Sequence, residues 1–476
     1  MHSTGKSEPV NSEPVRSESG NSALAESLFQ PAWRNLSIGS IGLCSMMAFE
    51  AIGVAAGMPA VATALNGMTL YALAFASTLA SSVVAMVYAG RDCDRSGPFR
   101  SMAGGLLCFA SGLLLAGLAG SMVTLILGRI IQGLGIGALS VALYVATARA
   151  LPPQLLPRLF ALFSSAWVVP AVIGPAISGY VVEALGWRWL FLGILLLLVP
   201  TALLILPPLY RTQEASVKEA PEIDKAQQQK PVLIWALLAA ISCVALSLSG
   251  IAAHWASLMV VATLVMLLTS AARLMPVGTL RFAPGLPTVI ALRGLIAAAF
   301  FLCEAYIPLW LHVERSWSIR AAGFALTSGA LSWSVGSYLQ SRITVEAMRQ
   351  AWLGNGGLLL CIGIAISGLT VMELCPEWML LIGWSISGLG VGLALPMLGV
   401  LTLKLAPEAQ QGSYSSALQL SAAICTSATL AAGGVLFTLL QGRSPLLAYS
   451  SVFALAIWLA ILALISVPRV FVKSGV

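Results

Sequence analysis

The sequence predicts an all-α, polytopic membrane protein with fourteen transmembrane helices, arranged as two pseudo-symmetric six-helix bundles plus two linker helices. The first reason is composition. Of the 476 residues, 58% are hydrophobic and 9% are charged, whereas a soluble domain carries about 25% charged residues. So few charges cannot cover a surface that faces water, so we expect a lipid-facing surface. We expect the net charge of +7 to lie in cytoplasmic loops, and we do not expect it to bind nucleic acid.

The second reason is the spacing of apolar runs. A transmembrane helix needs roughly 20 mostly apolar residues. The chain contains fourteen such runs, near 35–62, 69–90, 101–120, 122–147, 159–183, 188–208, 231–251, 255–274, 287–312, 321–341, 351–371, 378–403, 413–440 and 446–467. Residues 1–30 precede them and are polar and repetitive. We expect this tail to be disordered and not to act as a cleaved signal peptide, because it has no apolar stretch.

The lysines and arginines indicate the orientation. If the N-terminus is cytoplasmic, nearly all basic residues of the loops fall on the cytoplasmic side. The outer loops then contain Arg188, Arg315, Arg320 and Arg443 alone. The positive-inside rule favours this arrangement, in which both termini are cytoplasmic.

The third reason is an internal repeat. The stretch GLGIG at 133–137 in the fourth run matches GLGVG at 388–392 in the twelfth, and Glu50 in the first run matches Glu304 in the ninth. Runs 1–6 therefore correspond to runs 9–14. The predicted organisation is a disordered tail at 1–30, a six-helix bundle at 31–208, a cytoplasmic loop at 209–230, two linker helices at 231–276, a second six-helix bundle at 277–470 and a short cytoplasmic tail at 471–476.

Three motifs follow one another in the first bundle. The loop after the second run reads GRDCDRSGPFR at 90–100, the fourth run contains RIIQG at 129–133, and the fifth contains GPAISG at 174–179. Together they resemble the signature motifs of the major facilitator superfamily, and the resemblance covers the chain after residue 30. With fourteen spans, the chain is most similar to the 14-helix drug:proton antiporter branch.

The resemblance implies that the charged loop at 90–100 is a cytoplasmic gate. Asp94 is placed to meet a helix N-terminus or an arginine across the interface between the bundles. The alternative is an ordinary positively charged cytoplasmic loop. The sequence departs from the family at Pro98 and Phe99, where basic residues are common. The gate candidates are Gly90, Asp94, Arg95, Gly97 and Arg100.

The fifth run carries prolines and glycines that favour a bend and a close approach of a neighbouring helix. The resemblance implies that this bend is functional, and plain helix packing is the alternative. The residues of this helix-bend motif are Pro170, Gly174, Pro175 and Gly179.

Glu50 and Glu304 are the acidic residues that lie deep in apolar runs. Each follows the cytoplasmic start of its helix by about 15 residues, or roughly 22 Å. A carboxylate in hydrocarbon costs several kcal/mol, so such residues are rare and usually functional. We interpret them, with Arg129, as candidates for coupling to protons or to a cationic substrate. The alternative for Glu50 is a structural pair with Arg129, and Arg293 can extend to the cytoplasmic surface.

Further polar and aromatic residues in the spans are candidates for lining a central cavity. For the aromatic ones, packing or a lipid-facing position is an equal alternative. The cavity candidates are Gln132, Tyr144, Trp167, Phe301, Trp333 and Gln419.

These features predict a transporter and not an enzyme, since no nucleotide-binding, metal-binding or catalytic motif is recognised. We expect a proton-coupled exporter of a lipophilic small molecule or drug in a bacterial-type cytoplasmic membrane. We expect it to need no cofactor, to use the proton gradient and to act as a monomer. The alternatives are a dedicated exporter of one endogenous metabolite, lipid or siderophore, and a non-transporting membrane receptor.

Overall fold

The computed structural model describes residues 28–31, 33–151, 156–216, 232–249, 256–341, 346–407 and 411–471. Within these residues the chain forms fourteen long α-helices and no strand, which confirms the predicted all-α fold. The helices are α1 (Arg34–Ala64), α2 (Tyr71–Ser96), α3 (Pro98–Gly117), α4 (Met122–Ala150), α5 (Leu156–Leu185), α6 (Trp189–Ser216), α7 (Val232–Ser249), α8 (Ala256–Leu274), α9 (Leu286–Val313), α10 (Ile319–Ser341), α11 (Glu346–Val371), α12 (Met379–Leu405), α13 (Gln411–Gln441) and α14 (Pro445–Ser466).

Eleven helices in the described part of the chain are long and apolar enough to cross a membrane. The other three are α5, α8 and α10. Helices α5 and α8 contain shorter apolar stretches, at Val172–Leu185 and Leu258–Leu274. Helix α10 is less apolar because it is interrupted by serines and glycines, and it packs against α5, α9 and α12 inside the protein. The chain is therefore a multi-pass membrane protein.

Helices α1–α6 and α9–α14 pack in the same pattern. In the first set α4 packs on α2 and α3, α1 packs on α5 and α6, and α3 packs on α6. In the second set α12 packs on α10 and α11, α9 packs on α13 and α14, and α11 packs on α14. This correspondence confirms the two pseudo-symmetric bundles. Helices α7 and α8 pack on each other, and α7 bridges the bundles through α2 and α13.

The repeated glycine stretches explain how this packing is possible. A Cβ atom at Gly137 of α4 would collide with the backbone carbonyl of Ser82 in α2. At the equivalent point of the second bundle, a Cβ atom at Gly392 of α12 would collide with the carbonyl of Trp333 in α10. Glycine lets two helix backbones approach closely where any side chain would hold them apart. The same sequence signal therefore builds the same helix contact twice.

One predicted boundary, the end of the sixth helix, differs from the sequence-based expectation. Helix α6 continues to Ser216, whereas the loop was predicted to begin at 209. Polarity suggested that early end, but Gln213, Glu214 and Ala215 are good helix formers and allow the helix to continue. Most of the predicted tail and of the 209–230 loop lies outside the described residues.

Candidate transport site

The two bundles contact each other chiefly through α5 against α10 and α2 against α13. Helix α1 contacts α9 and α10 of the second bundle, whereas the described parts of α4 and α12 share no substantial contact. Tyr144 of α4 lies in this region. Its ring meets Phe163 of α5 edge-on at 5.9 Å, and its phenol lies within electrostatic reach of Cys44 on α1 and Arg293 on α9. The side chain is still 48% exposed, so an accessible space lies between the bundles.

Glu50 and Arg129 form a buried ion pair in the first bundle. The Arg129 Nη1 donates to Glu50 Oε1, and both side chains are almost fully buried. The same nitrogen donates to Oε1 of Gln132 at 3.1 Å, and Nε donates to the carbonyl of Ala74 in α2 at 3.1 Å. The charge of Glu50 is therefore balanced inside the bundle. Breaking such a pair by removing one partner typically costs about 3–5 kcal/mol.

Gln132 belongs to this buried cluster. Its side chain is fully buried, and its amide nitrogen has no hydrogen-bond partner in the described residues. The amide oxygen accepts from Arg129, so Gln132 helps to hold the guanidinium in place.

Glu304 stands in a different environment on α9. It is half-buried, and its carboxylate makes no ion pair or hydrogen bond with the residues that the structure describes. The helix is irregular at this point because Pro308 lacks the N–H that would bond to the Glu304 carbonyl. The hydroxyl of Tyr71 in α2 donates to the next carbonyl, that of Ala305, at 2.5 Å. The first bundle thus braces α9 beside Glu304.

Trp384 occupies the position in α12 that Arg129 occupies in α4. Its ring stacks on Phe300 of α9, with centroids 4.4 Å apart. Its indole N–H donates to the carbonyl of Leu326 in α10 at 3.3 Å, just as Arg129 donates to Ala74 in α2. The hydrogen bond between helices is kept, but the positive charge beside the acid is not.

The other cavity candidates occupy varied positions. Trp167 of α5 is 44% exposed and approaches the thiol of Cys44. Phe301 and Trp333 are half-buried, and their ring centroids lie 6.3 Å apart between α9 and α10. Gln419 is exposed on α13. The structure therefore brings Phe301, one helical turn before Glu304 in α9, together with Trp333 of α10, and places Trp167 at the α1–α5 contact.

The helix-bend motif lies where α5 packs against α10. Pro170 and Pro175 are inside α5, and Gly174 faces Phe49 of α1 at ordinary contact distance. A Cβ atom at Gly179 would collide with the backbone of Arg320 in α10. The motif thus permits close packing between the bundles.

An ion pair joins the bundles beside this contact. Glu183 of α5 bonds to the guanidinium of Arg320 at 2.8 Å and accepts from its backbone N–H at 3.0 Å. These residues lie near the C-terminal end of α5 and the N-terminal end of α10, the ends predicted to face outward. The two bundles are therefore held together at that end.

Residues 90–96 of the predicted gate loop belong to the end of α2, and the turn to α3 is made at Gly97 alone. The prediction of a loop over 90–100 was therefore wrong. Gly97 has φ 78° and ψ 169°, a region of backbone space essentially restricted to glycine. Pro98 begins α3, and the Ser101 hydroxyl donates to the carboxylate of Asp92 at 2.6 Å. Arg95 and Arg100 are exposed, and the space around Gly90 is open. The side chain of Asp94 lies outside the described residues.

Sequence reasoning missed three features of this region: the brace from Tyr71, the Glu183–Arg320 pair and the inward position of Arg293. The Nη1 of Arg293 donates to the carbonyl of Leu395 in α12 at 3.3 Å, and its Nε is shielded from solvent without a partner in the described residues. The expectation that Arg293 extends to the membrane surface was therefore wrong. Gly294 packs against Ser421 of α13, so the side chain of the preceding residue, Arg293, points to a different side of α9. Because α9 is apolar on every side, its sequence pattern does not predict this direction.

Two helical bundles around a cleft with buried ionisable residues are the architecture of a secondary transporter. Sequence comparison agrees. The profile of the Major Facilitator Superfamily matches residues 38–375, and the chain belongs to this superfamily of membrane transporters.

Individual relatives and structures add detail. A probable multidrug-efflux transporter of Mycobacterium tuberculosis is 27% identical over 76% of this chain and 78% of its own. Multidrug resistance protein 3 of Bacillus subtilis is 25% identical over 74% of this chain and 69% of its own. Among solved structures, the POT family transporter PepTSo aligns with a TM-score of 0.68 at 13% identity, covering 93% of this chain and 99% of that one. That structural likeness shows the fold.

Proposed function

We propose that this protein exports lipophilic small molecules in exchange for protons, by alternating access of a site between the two bundles. The observation that carries the proposal is the carboxyl group of Glu304, which lies deep in α9 without a partner in the described residues. An ionisable group in a membrane span is a functional candidate by default. The names of the two relatives as multidrug transporters support efflux of drug-like molecules.

The proposed cycle uses Glu304 as the exchange point. A proton from the outer side neutralises the carboxylate and displaces the substrate, and loss of that proton to the cytoplasm restores the charge. The half-buried rings of Phe301 and Trp333 offer an apolar contact for the substrate body. The Glu50–Arg129 pair keeps its charges balanced throughout and holds α1 against α4.

The energy source in this proposal is the proton gradient, without a bound cofactor. We propose a bacterial-type cytoplasmic membrane with both termini in the cytoplasm, because the basic loop residues are concentrated on one side. We propose a monomer as the working unit, because one chain contains both bundles and the cleft between them.

The test is transport in proteoliposomes. Tetramethylrhodamine methyl ester, a fluorescent lipophilic cation, is supplied with an imposed pH gradient. We expect the unaltered protein to accumulate the dye against its gradient. We expect Glu304→Gln to lose this accumulation but to keep dye exchange at equal pH, because the site remains while the proton-binding group is gone.

The matched control is Glu314→Gln, which changes the same residue type at the exposed end of the same helix. It should accumulate the dye like the unaltered protein. Full gradient-driven accumulation by Glu304→Gln would exclude Glu304 as the coupling group.

A further inference from the structure

Arg293 is a charged residue in the cleft to which the proposed cycle gives no role. It lies on α9 three helical turns before Glu304, on the same face of the helix and about 16 Å away along its axis. Phe300 lies between them on that face, two turns beyond Arg293, and stacks on Trp384. This ring is buried under Trp384, and the half-buried rings of Phe301 and Trp333 pack beside it. One face of α9 therefore carries a cation at one end and a carboxyl group at the other, with partly accessible aromatic rings beside it.

The guanidinium of Arg293 has few partners. One nitrogen donates to the carbonyl of Leu395 in α12 at 3.3 Å, and Nε is sealed from solvent with no partner among the residues that the structure describes. No carboxylate of the described residues pairs with Arg293, in contrast to Arg129. A guanidinium carries five N–H donors, so most of its capacity in the described structure is unused.

Tyr144 approaches the same point from the first bundle, within electrostatic reach of Arg293. Its ring is 48% exposed to the space between the bundles. A ligand in that space can therefore meet a phenol from α4 and a guanidinium from α9 together. Both groups can donate hydrogen bonds to an anion.

A buried cation without a counter-ion is costly, and an anion that reaches it recovers much of that cost. The planar guanidinium fits a carboxylate through two parallel N–H···O bonds. We infer that Arg293 binds the carboxylate of an amphiphilic substrate, whose apolar body lies along the half-buried rings of Phe301 and Trp333. This inference rests on the proposed function and specifies its substrate class: amphiphiles that carry an organic acid group, including zwitterions whose cationic part lies toward Glu304.

The test compares two probes that differ in one group. Tetramethylrhodamine carries a free carboxylate, and in its methyl ester the same oxygen is esterified. Binding of each to the purified full-length protein in detergent is measured by fluorescence anisotropy at neutral pH. We expect the unaltered protein to bind the free acid about tenfold or more tightly than the ester, as expected for a charge-assisted hydrogen-bonded pair.

The variants assign this preference to Arg293. Arg293→Gln should lose the preference because it weakens binding of the free acid and not of the ester. Arg293→Lys should keep part of the preference, since an ammonium retains the charge but does not form the two parallel hydrogen bonds of a guanidinium. Arg273→Gln is the control, because Arg273 lies over Trp235 in the linker helices; it should bind both probes like the unaltered protein.

Any one of three results would overturn the inference. The unaltered protein could show no preference for the acid, Arg293→Gln could keep the preference unchanged, or Arg293→Gln could lose binding of both probes equally. The measurement needs no proton gradient. Failure of gradient-driven transport would therefore contradict the proposed function while the binding preference still tests Arg293. Glu304→Gln should retain the preference for the acid.

Discussion

The two bundles share a scaffold but differ in how they treat their deep carboxyl group. In the first, Arg129 of α4 pairs with Glu50 of α1. In the second, Trp384 of α12 occupies the equivalent place and stacks on Phe300, while Glu304 of α9 has no partner in the described residues. The repeat therefore preserves helix contacts and not chemistry. In the proposed cycle, the paired acid Glu50 serves stability and Glu304 exchanges the proton.

The largest effect should come from breaking the pair of the first bundle. Arg129→Met leaves the Glu50 carboxylate buried and unpaired, so we expect a loss of about 3–5 kcal/mol in unfolding free energy. Adding Glu50→Gln should recover most of this loss. Thermal unfolding of the purified protein in detergent measures both.

Glu304→Gln provides the contrast in the same experiment. Because Glu304 has no partner among the described residues, its replacement should leave the thermal midpoint unchanged or higher. A destabilisation as large as that of Arg129→Met would show that Glu304 is also a structural residue, and the contrast between the bundles would fail.

The shared scaffold predicts equal effects at paired glycines. Gly137→Ala and Gly392→Ala each drive a methyl group into the carbonyl of the facing helix, so we expect each to cost about 1–3 kcal/mol. Thermal unfolding again provides the measurement.

Gly399→Ala is the control for the glycine variants, since it lies on α12 with open space around it. It should be neutral or stabilising by up to about 1 kcal/mol, because alanine favours helix. If one of the paired glycines tolerated alanine as well as Gly399 does, the two helix contacts would not be equivalent.

The smallest expected effect concerns a proline that α12 contains and α4 lacks. Pro396 lies inside α12 and removes the donor for the Gly392 carbonyl, to which the Ser337 hydroxyl donates at 3.3 Å. Ser337→Ala should therefore cost about 0.5–1.5 kcal/mol. Ser334→Ala should cost less in the same unfolding assay, since Ser334 bonds to a carbonyl of its own helix. Equal costs would argue against a role for Ser337 in satisfying the broken turn.

Hydropathy and the repeat were sufficient to predict the helices and their correspondence, because each span must be apolar along its length. The depth of Glu50, Arg129 and Glu304 was also readable, since charges in apolar runs are conspicuous. Aligning the two halves places Trp384 opposite Arg129, so the sequence also indicates that Glu304 lacks the basic partner that Glu50 has in α4.

Contacts that depend on helix rotation or on docking of the bundles could not be predicted. Helix α9 is apolar on every side and largely buried, so its pattern does not tell which way Arg293 points. The bond from Tyr71 to Ala305 and the Glu183–Arg320 pair join residues far apart in the chain. Their proximity follows from how the two bundles meet, which periodicity does not encode.

The proposed cycle requires that Glu304, and not Glu50, exchanges the proton. Proton release on addition of tetramethylrhodamine methyl ester, followed with a pH indicator in weakly buffered detergent solution, tests it directly. We expect release by the unaltered protein and by the Arg129→Met/Glu50→Gln double variant, and none by Glu304→Gln. Undiminished release by Glu304→Gln, or its loss in the double variant alone, would contradict it.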